Sequence, residues 1–281
     1  MPEQALHRRM SLIGFGAIGH TVARAVLTGR AGAVALSAVL VREASRYGDD
    51  PLAAQLVADA AITFTDDPAS FLSTPADLVV EAAGQEAVRA YGRTILDGGS
   101  DLLVVSIGAF TDDQLYAEMR AAAEGSVGRL MLASGALPAV DWMQAASLDR
   151  VTSVRITQTK PVASWRGTPA EELTDLAELT GPVCFFEGAA RAAARVFAKS
   201  SNITAMLALA TVGMDQTHVR LVADPASSRM HTRIEFASDA GELRVEWRGT
   251  PSSANPSTSA DVPLSVIKAV RNWVGDVVVG V

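Results

Sequence analysis

The chain has 281 residues, 49% of them hydrophobic and 20% charged, a balance that supports a sizeable core and excludes a mainly disordered, collagen-like or coiled-coil protein. At ~150 residues per domain, this length predicts two domains. Lys and Arg number 24 against 31 Asp and Glu, a net charge of −7 that opposes binding to phosphate backbones and argues against nucleic acid as a partner. The one cysteine, Cys184, cannot form an internal disulfide and fits a reducing compartment.

No stretch approaches the ~18 consecutive apolar residues that span a bilayer. Met1–Arg9 carries basic residues but runs straight into a strand and a glycine loop, without the apolar region of a signal peptide. The expectation is a soluble, cytoplasmic protein with no membrane partner.

In chain order, the apolar run Met10–Ile13 enters a glycine turn. A helix follows, with Ile18, Val22, Val26 and Leu27 on one stripe and Gly29 closing it. Val34–Val41 is nearly continuously apolar, as in strands buried on both faces of a parallel sheet. Asp77–Ala83 reads as a third strand, Ala87–Asp97 as a helix and Leu102–Ser106 as a fourth strand. Thr111–Glu124 reads as a helix opened by Thr111, and Leu130–Ala133 as a fifth strand. This alternation predicts an α/β fold: a Rossmann-type, doubly wound parallel sheet over residues 8–134.

The rhythm changes after Ser134. Val151–Thr159 alternates like a half-buried strand, and Thr168-Pro169-Ala170-Glu171 reads as a helix start with Thr168 as its cap. Helices are expected at Gly188–Phe197 and Ile203–Val212, and strands at Val219–Ala223, Met230–Ala237 and Leu243–Trp247. Residues 135–259 therefore read as a second α+β domain that carries substrate and catalysis on a mostly antiparallel sheet. Pro251–Ser259 is a polar loop. Val262–Val274 has helical spacing at Val266, Val270 and Trp273, and residues 260–281 could pack back on the first domain.

Gly14-Phe15-Gly16-Ala17-Ile18-Gly19 lies between a strand and a helix, the context in which GxGxxG predicts a dinucleotide site. Gly14 permits the tight turn, Gly16 admits a pyrophosphate, Gly19 lets helix and strand pack, and the helix start at Ala17 and Ile18 offers amides to the phosphates. The cofactor is NAD or NADP. An acid after the second strand binds the ribose hydroxyls of NAD and an arginine accommodates the phosphate of NADP; Arg42 and Glu43 offer both, Arg42 coming first and tilting the expectation toward NADP, although a solvated charge pair at a strand end also explains them.

Of four histidines, His7 is near the N-terminus, His20 follows the glycine loop and His218 begins a strand. His231 shares a strand face with Arg233 and Glu235, opposite Thr232, Ile234 and Phe236. Its imidazole suits it to both give and take a proton, although a solvated strand face also explains the pattern. Lys160, Lys199, Arg229 and Arg233 are cations in the second half that suit an anionic substrate, arginine gripping carboxylates in bidentate fashion. Asn202 precedes a helix, where an amide caps it or contacts a ligand. No spacing of histidines and cysteines points to a metal. Cys184, in Val183-Cys184-Phe185-Phe186, reads as a small buried hydrophobe.

Several segments occur in a characteristic order: Ser106-Ile107-Gly108-Ala109, Ala133-Ser134-Gly135-Ala136, Thr159-Lys160-Pro161, Trp165 to Glu171, Phe186 to Arg191, Asp224-Pro225 and Asn255 to Ser259. With the glycine loop they make the chain, from Met10 to about Arg271, resemble the L-aspartate dehydrogenase family. The resemblance implies NAD(P)-dependent oxidative deamination of L-aspartate to iminoaspartate, then oxaloacetate and ammonia, and the reverse reductive amination. It implies that His231 is catalytic and that Ala136 and Asn202 contact the nicotinamide cofactor. Lys160, Arg229 and Arg233 are then candidates for a dicarboxylic amino acid. Such enzymes are commonly oligomeric, and the antiparallel sheet offers a homodimer interface. Supply of iminoaspartate to NAD biosynthesis and aspartate breakdown are the roles implied. The chain departs from the family's pattern at Arg229-Met230 before His231, at Ala198 and Ser200, and at Gln85. Two alternatives stay open: an NAD(P)-dependent dehydrogenase or imine reductase for another amino acid, and a catalytically silent nucleotide-binding sensor.

Overall fold

Buried apolar runs pair side by side because their backbone groups have no other partners. In the computed structural model, which describes residues 8–60, 62–252 and 259–280, two such sheets form. The chain divides into two units: the part up to Ala133 together with the segment from Pro263, and Ser134–Val262.

The first unit alternates strand and helix. β1 (Arg8–Ile13), α1 (Ala17–Leu27) and β2 (Val34–Leu40) are followed by α2 (Pro51–Ala60), β3 (Thr63–Thr65) and α3 (Pro68–Ser73). Then come β4 (Leu78–Glu81), α4 (Gln85–Asp97), β5 (Asp101–Val104), α5 (Asp113–Glu124) and β6 (Leu130–Leu132). All six strands are parallel, in the order β3-β2-β1-β4-β5-β6. The sequence predicts five; the short β3, half-buried at the sheet edge, is the sixth. Asp112, not Thr111, caps α5, accepting from the Gln114 and Leu115 amides, while Thr111 Oγ1 donates to the Gly108 carbonyl.

The second unit holds α6 (Val140–Ala146), β7 (Val151–Pro161), α7 (Ala170–Leu173), β8 (Val183–Ala189), α8 (Ala190–Val196), α9 (Ser201–Ala210), β9 (His218–Asp224), β10 (His231–Ser238) and β11 (Gly241–Arg248). The sheet order is β11-β10-β7-β9-β8, with β7 and β9 parallel and the other pairs antiparallel. Three expectations shift here. The helix expected at Gly188 starts at Ala190, because Gly188 and Ala189 pair with Val219 and His218 as strand. The helix opened by Thr168 lasts one turn. Asn202 is the second residue of α9, behind Ser200, rather than its cap.

One face of this sheet is apolar and helix-covered. Thr232, Ile234 and Phe236 are buried, Gln158 Nε2 donates to Thr204 Oγ1 of α9 at 2.9 Å, and Trp142 of α6 stacks edge-on against Phe236. The opposite face carries His231, Arg233, Glu235, Arg244, Glu246 and Arg220, half-buried or exposed.

The last helix, α10 (Val262–Val274), packs in the first unit through Val266, Val270 and Trp273. Trp273 Nε1 donates to Asp101 Oδ2 at 2.7 Å, and Arg8 donates to the Trp273 carbonyl while lying over its ring. Burial raises the Asp101 pKa, but hydrogen bonds from the Arg129 side chain and amide and from Trp273 outweigh it and hold the carboxyl below its ordinary value. His7 and residues 253–258 lie outside the described residues.

Candidate active site

Sheet order itself marks a crevice. Connections from β1 run to β2 on one side, while β4 lies on its other side, so the strand order reverses at β1 and β4. Ligands of open α/β sheets bind at such a point, beyond the carboxyl ends of the strands. Gly14 takes φ +96 there, and a Cβ on it would sit 2.7 Å from the Ala82 carbonyl oxygen of the loop after β4. A Cβ on Gly19 would overlap the Gly14 carbonyl, so only glycine lets α1 cross β1 this closely. At Gly16 a Cβ would meet nothing within 4 Å. No side chain caps α1 at Gly16, which leaves its first-turn amides for an anion.

A cavity of about 660 Å³ opens beside this loop, bounded by Gly14–Gly16, by Arg42, Glu43, Arg46 and Tyr47 after β2, by Asp66, and by Gly84–Ala87. Its size and its glycine-lined phosphate end fit a nucleotide. Glu81, at the end of β4 and 1% exposed, fixes the neighbouring loops. Its Oε1 accepts from the Ala83 and Gly84 amides, both at 2.8 Å, and from Ser106 Oγ at 2.9 Å. Its Oε2 accepts from the amides of Ser106 at 3.0 Å and Val105 at 3.3 Å. Five donors satisfy a carboxylate that would otherwise be too costly to bury.

In the second unit, the register places His231 opposite Thr159 and Arg248, on the polar face. Its Nε2 lies 3.3 Å from Glu246 Oε2 but outside hydrogen-bond geometry, and this buried nitrogen has no hydrogen-bond partner among the described residues. Arg233 Nε donates to Glu246 Oε1 at 2.8 Å and Arg244 Nη2 at 3.2 Å, and these hydrogen bonds hold the Glu246 pKa below its ordinary value.

Lys160 follows Thr159 and therefore points to the other, helix-covered face with Gln158. Its Nζ donates to Ser200 Oγ at 2.9 Å, just before α9, and lies 4.7 Å from the centre of the Trp165 ring. No carboxylate pairs with it among the described residues, and desolvation by burial lowers its pKa to about 8.

The comparisons with known proteins fall on this geometry. Residues 141–273 match the aspartate dehydrogenase C-terminal family, and residues 14–133 match the NAD-binding domain of homoserine dehydrogenase. The L-aspartate dehydrogenase of Brucella anthropi is 36% identical over 269 residues, which cover 95% of this chain and 97% of that protein. The chain belongs to the L-aspartate dehydrogenase family. The Serratia proteamaculans member is likewise 36% identical, over 267 residues covering 95% of this chain and 97% of its own, and the Ruegeria pomeroyi member is 42% identical over 195 residues covering 69% and 71%. The crystal structure of aspartate dehydrogenase from Thermotoga maritima superposes with a TM-score of 0.73 at 23% identity, covering 98% of this chain and all of that one. That likeness concerns the fold: a parallel six-stranded sheet with helices and a second unit with a mixed, mostly antiparallel sheet.

Within the family fold, the sequence-derived candidates separate into three groups. Gly14, Gly16, Ala17, Ile18, Gly19 and Arg42 belong to the first unit, at the cavity or the helix start beside it. Lys160 at the end of β7 reaches Ser200, two residues before Asn202 in the first turn of α9, while Ala136 lies in the Ser134–Leu137 turn after β6. His231 and Arg233 share the polar sheet face and converge on Glu246. Arg229 is exposed in the turn before β10 and makes no ion pair among the described residues, whereas Arg233 is already neutralised by Glu246. His218 forms a second pair of this kind, its Nε2 2.9 Å from Glu187 Oε1. His20 packs against Phe15 and lies 3.6 Å from Asp50. Cys184 is half-buried on β8, where its thiol meets the Phe186 carbonyl.

Two contributors escape sequence reasoning. Glu81 leaves a signal, a carboxylate inside the apolar run Leu78–Glu81 that a parallel sheet buries. Glu246 leaves none, since charged residues alternate all along β11.

Proposed function

We propose that this chain is an NAD(P)-dependent L-aspartate dehydrogenase that oxidatively deaminates L-aspartate to iminoaspartate, hydrolysed to oxaloacetate and ammonia, and catalyses the reverse reductive amination. The observation that carries this reading is similarity to an L-aspartate dehydrogenase along 95% of the chain, spanning both units.

When bound, the nicotinamide supplies hydride transfer at the substrate Cα. The chain's own task is to hold the partners in place and to move protons. The amides of Gly16, Ala17 and Ile18 at the start of α1 receive the pyrophosphate, Gly14 and Gly19 shape the turn that presents them, and Ala136 and Asn202 contact the cofactor. His231 Nε2 takes a proton from the water that attacks the imine and returns one to the departing amine. Glu246, 3.3 Å away, serves as counter-ion while that proton is held. Arg229, which has no carboxylate partner among the described residues and precedes His231 by two residues, takes a substrate carboxylate, and Arg233 holds Glu246 in position, whereas Lys160 lies on the opposite sheet face against Ser200. On this reading the enzyme works in the cytoplasm as a homodimer.

Reduced-nicotinamide absorbance tests the proposal. L-aspartate with NAD and NADP, and oxaloacetate plus ammonia with the reduced forms, should turn over, while D-aspartate, glutamate and alanine should not. Turnover of a different amino acid alone would reassign the substrate. Silence with every substrate, while cofactor still binds, would leave a nucleotide-binding sensor.

A further inference from the structure

The end of β2 decides which nicotinamide cofactor the cavity receives. An enzyme that takes NAD presents there a carboxylate able to accept both ribose hydroxyls. Here the residue directly after β2 is Val41, buried and without a polar side chain. The first acid, Glu43, is engaged: its Oε1 accepts from Ser45 Oγ at 3.0 Å and its Oε2 lies 3.3 Å from Arg46 Nε. Asp66, on the same cavity wall, accepts from the Ala44 amide at 2.9 Å, and Glu86 pairs with Arg89 at 3.8 Å. Every carboxylate bounding the cavity therefore has a partner.

Arg42 is the contrary case. It lines the cavity, is exposed, and makes no hydrogen bond or ion pair among the described residues. An exposed arginine is ordinarily just solvated. This one stands where the adenosine ribose of a dinucleotide is read, with Arg46 four residues on lining the same wall. A phosphate monoester brings about −1.5 to −2 charges at neutral pH and three acceptor oxygens, which a guanidinium fork matches and a ribose hydroxyl does not.

We propose that Arg42 forms a site for the 2′-phosphate of NADP(H), so that this chain selects NADP(H) over NAD(H). The inference rests on the dehydrogenase reading above and adds to it which cofactor the enzyme uses.

Direct binding tests it without turnover. NADPH and NADH are titrated by nicotinamide fluorescence, and the fragments 2′,5′-ADP and 5′-AMP, which differ only in the 2′-phosphate, by calorimetry. Wild type should bind NADPH at least ~10-fold more tightly than NADH. Arg42→Ala should weaken NADPH and 2′,5′-ADP by about 10- to 100-fold, the worth of charge-assisted hydrogen bonds, while changing NADH and 5′-AMP less than about 2-fold. Arg42→Lys, which keeps the charge but not the fork, should fall between. Equal wild-type affinities, or an Arg42→Ala loss shared by all four ligands, would overturn the 2′-phosphate site and leave the dehydrogenase reading intact. Failure of both reduced cofactors to bind would overturn the two together.

Discussion

Glu81 in the first unit and Glu246 in the second are both carboxylates beside candidate site residues, yet they are held in opposite ways. Glu81 is 1% exposed, and neutral donors fixed by the backbone of two loops hold it. Glu246 stands on an open sheet face among Arg233, Arg244 and His231, whose side chains reach it through solvent-facing space. In the first case low dielectric makes each hydrogen bond strong and each loss severe. In the second, water screens the charges, so partners exchange at little cost. The nucleotide cavity is thus built on a preset frame, whereas the polar sheet face suits a group that gains and loses a proton.

That contrast can be broken from either side. The largest expected effect is at His231. His231→Ala should lower kcat by ~10²- to 10⁴-fold with cofactor affinity nearly unchanged, since general acid/base groups contribute on that scale. Steady-state kinetics beside a cofactor titration measure both, and unchanged turnover would remove His231 from the mechanism.

Next is the frame itself. Glu81→Gln sets an amide NH₂ against backbone donors, leaving at least two of them unsatisfied, and should destabilise the chain by about 3 kcal/mol or more in urea unfolding. Wild-type stability in this variant would mean that the buried cluster is not needed to hold the loops.

Lys160 supplies the pH test. In the folded chain its pKa is about 8, because burial penalises the ammonium. In the unfolded chain a lysine titrates near ~10.4. Between these values the unfolded state binds more protons, so stability rises with pH across that window. Below it, the cost of keeping the ammonium charged is fully present. Lys160→Met should therefore stabilise the chain at pH 7 by up to about 3 kcal/mol, with the difference disappearing above ~pH 10.5. A pH-independent difference would place the lysine in water.

The smallest stability effect is expected at Glu246. Glu246→Gln should leave the unfolding midpoint unchanged, as an exposed ion pair adds little. It should nevertheless lower kcat several-fold, because the counter-ion 3.3 Å from His231 is lost. A fall in unfolding midpoint with kcat unchanged would make Glu246 a structural residue only.

Much of this was readable before any fold was known. The glycine loop declares itself because only glycine tolerates φ +96 at Gly14 and the crossing at Gly19. β1, β2, β4 and β5 show as apolar runs because a parallel sheet buries both faces. On β10, alternation alone separates His231 and Arg233 from Thr232 and Ile234, and the burial of the latter pair follows it. β3 is silent because three half-exposed residues carry no period. The helix start at Gly188 is misread because local propensity favours helix where pairing with β9 requires strand.

By itself, the sequence determined whatever depends on neighbours in the chain: the order of the elements, the glycine turn, the face on which each strand residue lies and the family to which the motifs belong. Only the tertiary structure decided which charges meet. It joined His231 to Glu246 across two strands, turned Lys160 to the opposite face against Ser200, closed five donors from two loops around Glu81, and left Arg42 without a partner among the described residues while binding Glu43 to Arg46. The reason is physical. Steric and hydrophobic periodicity acts along the chain and can be read there, whereas pairing of charges and satisfaction of buried polar groups depend on which distant segments the fold brings within about 3 Å.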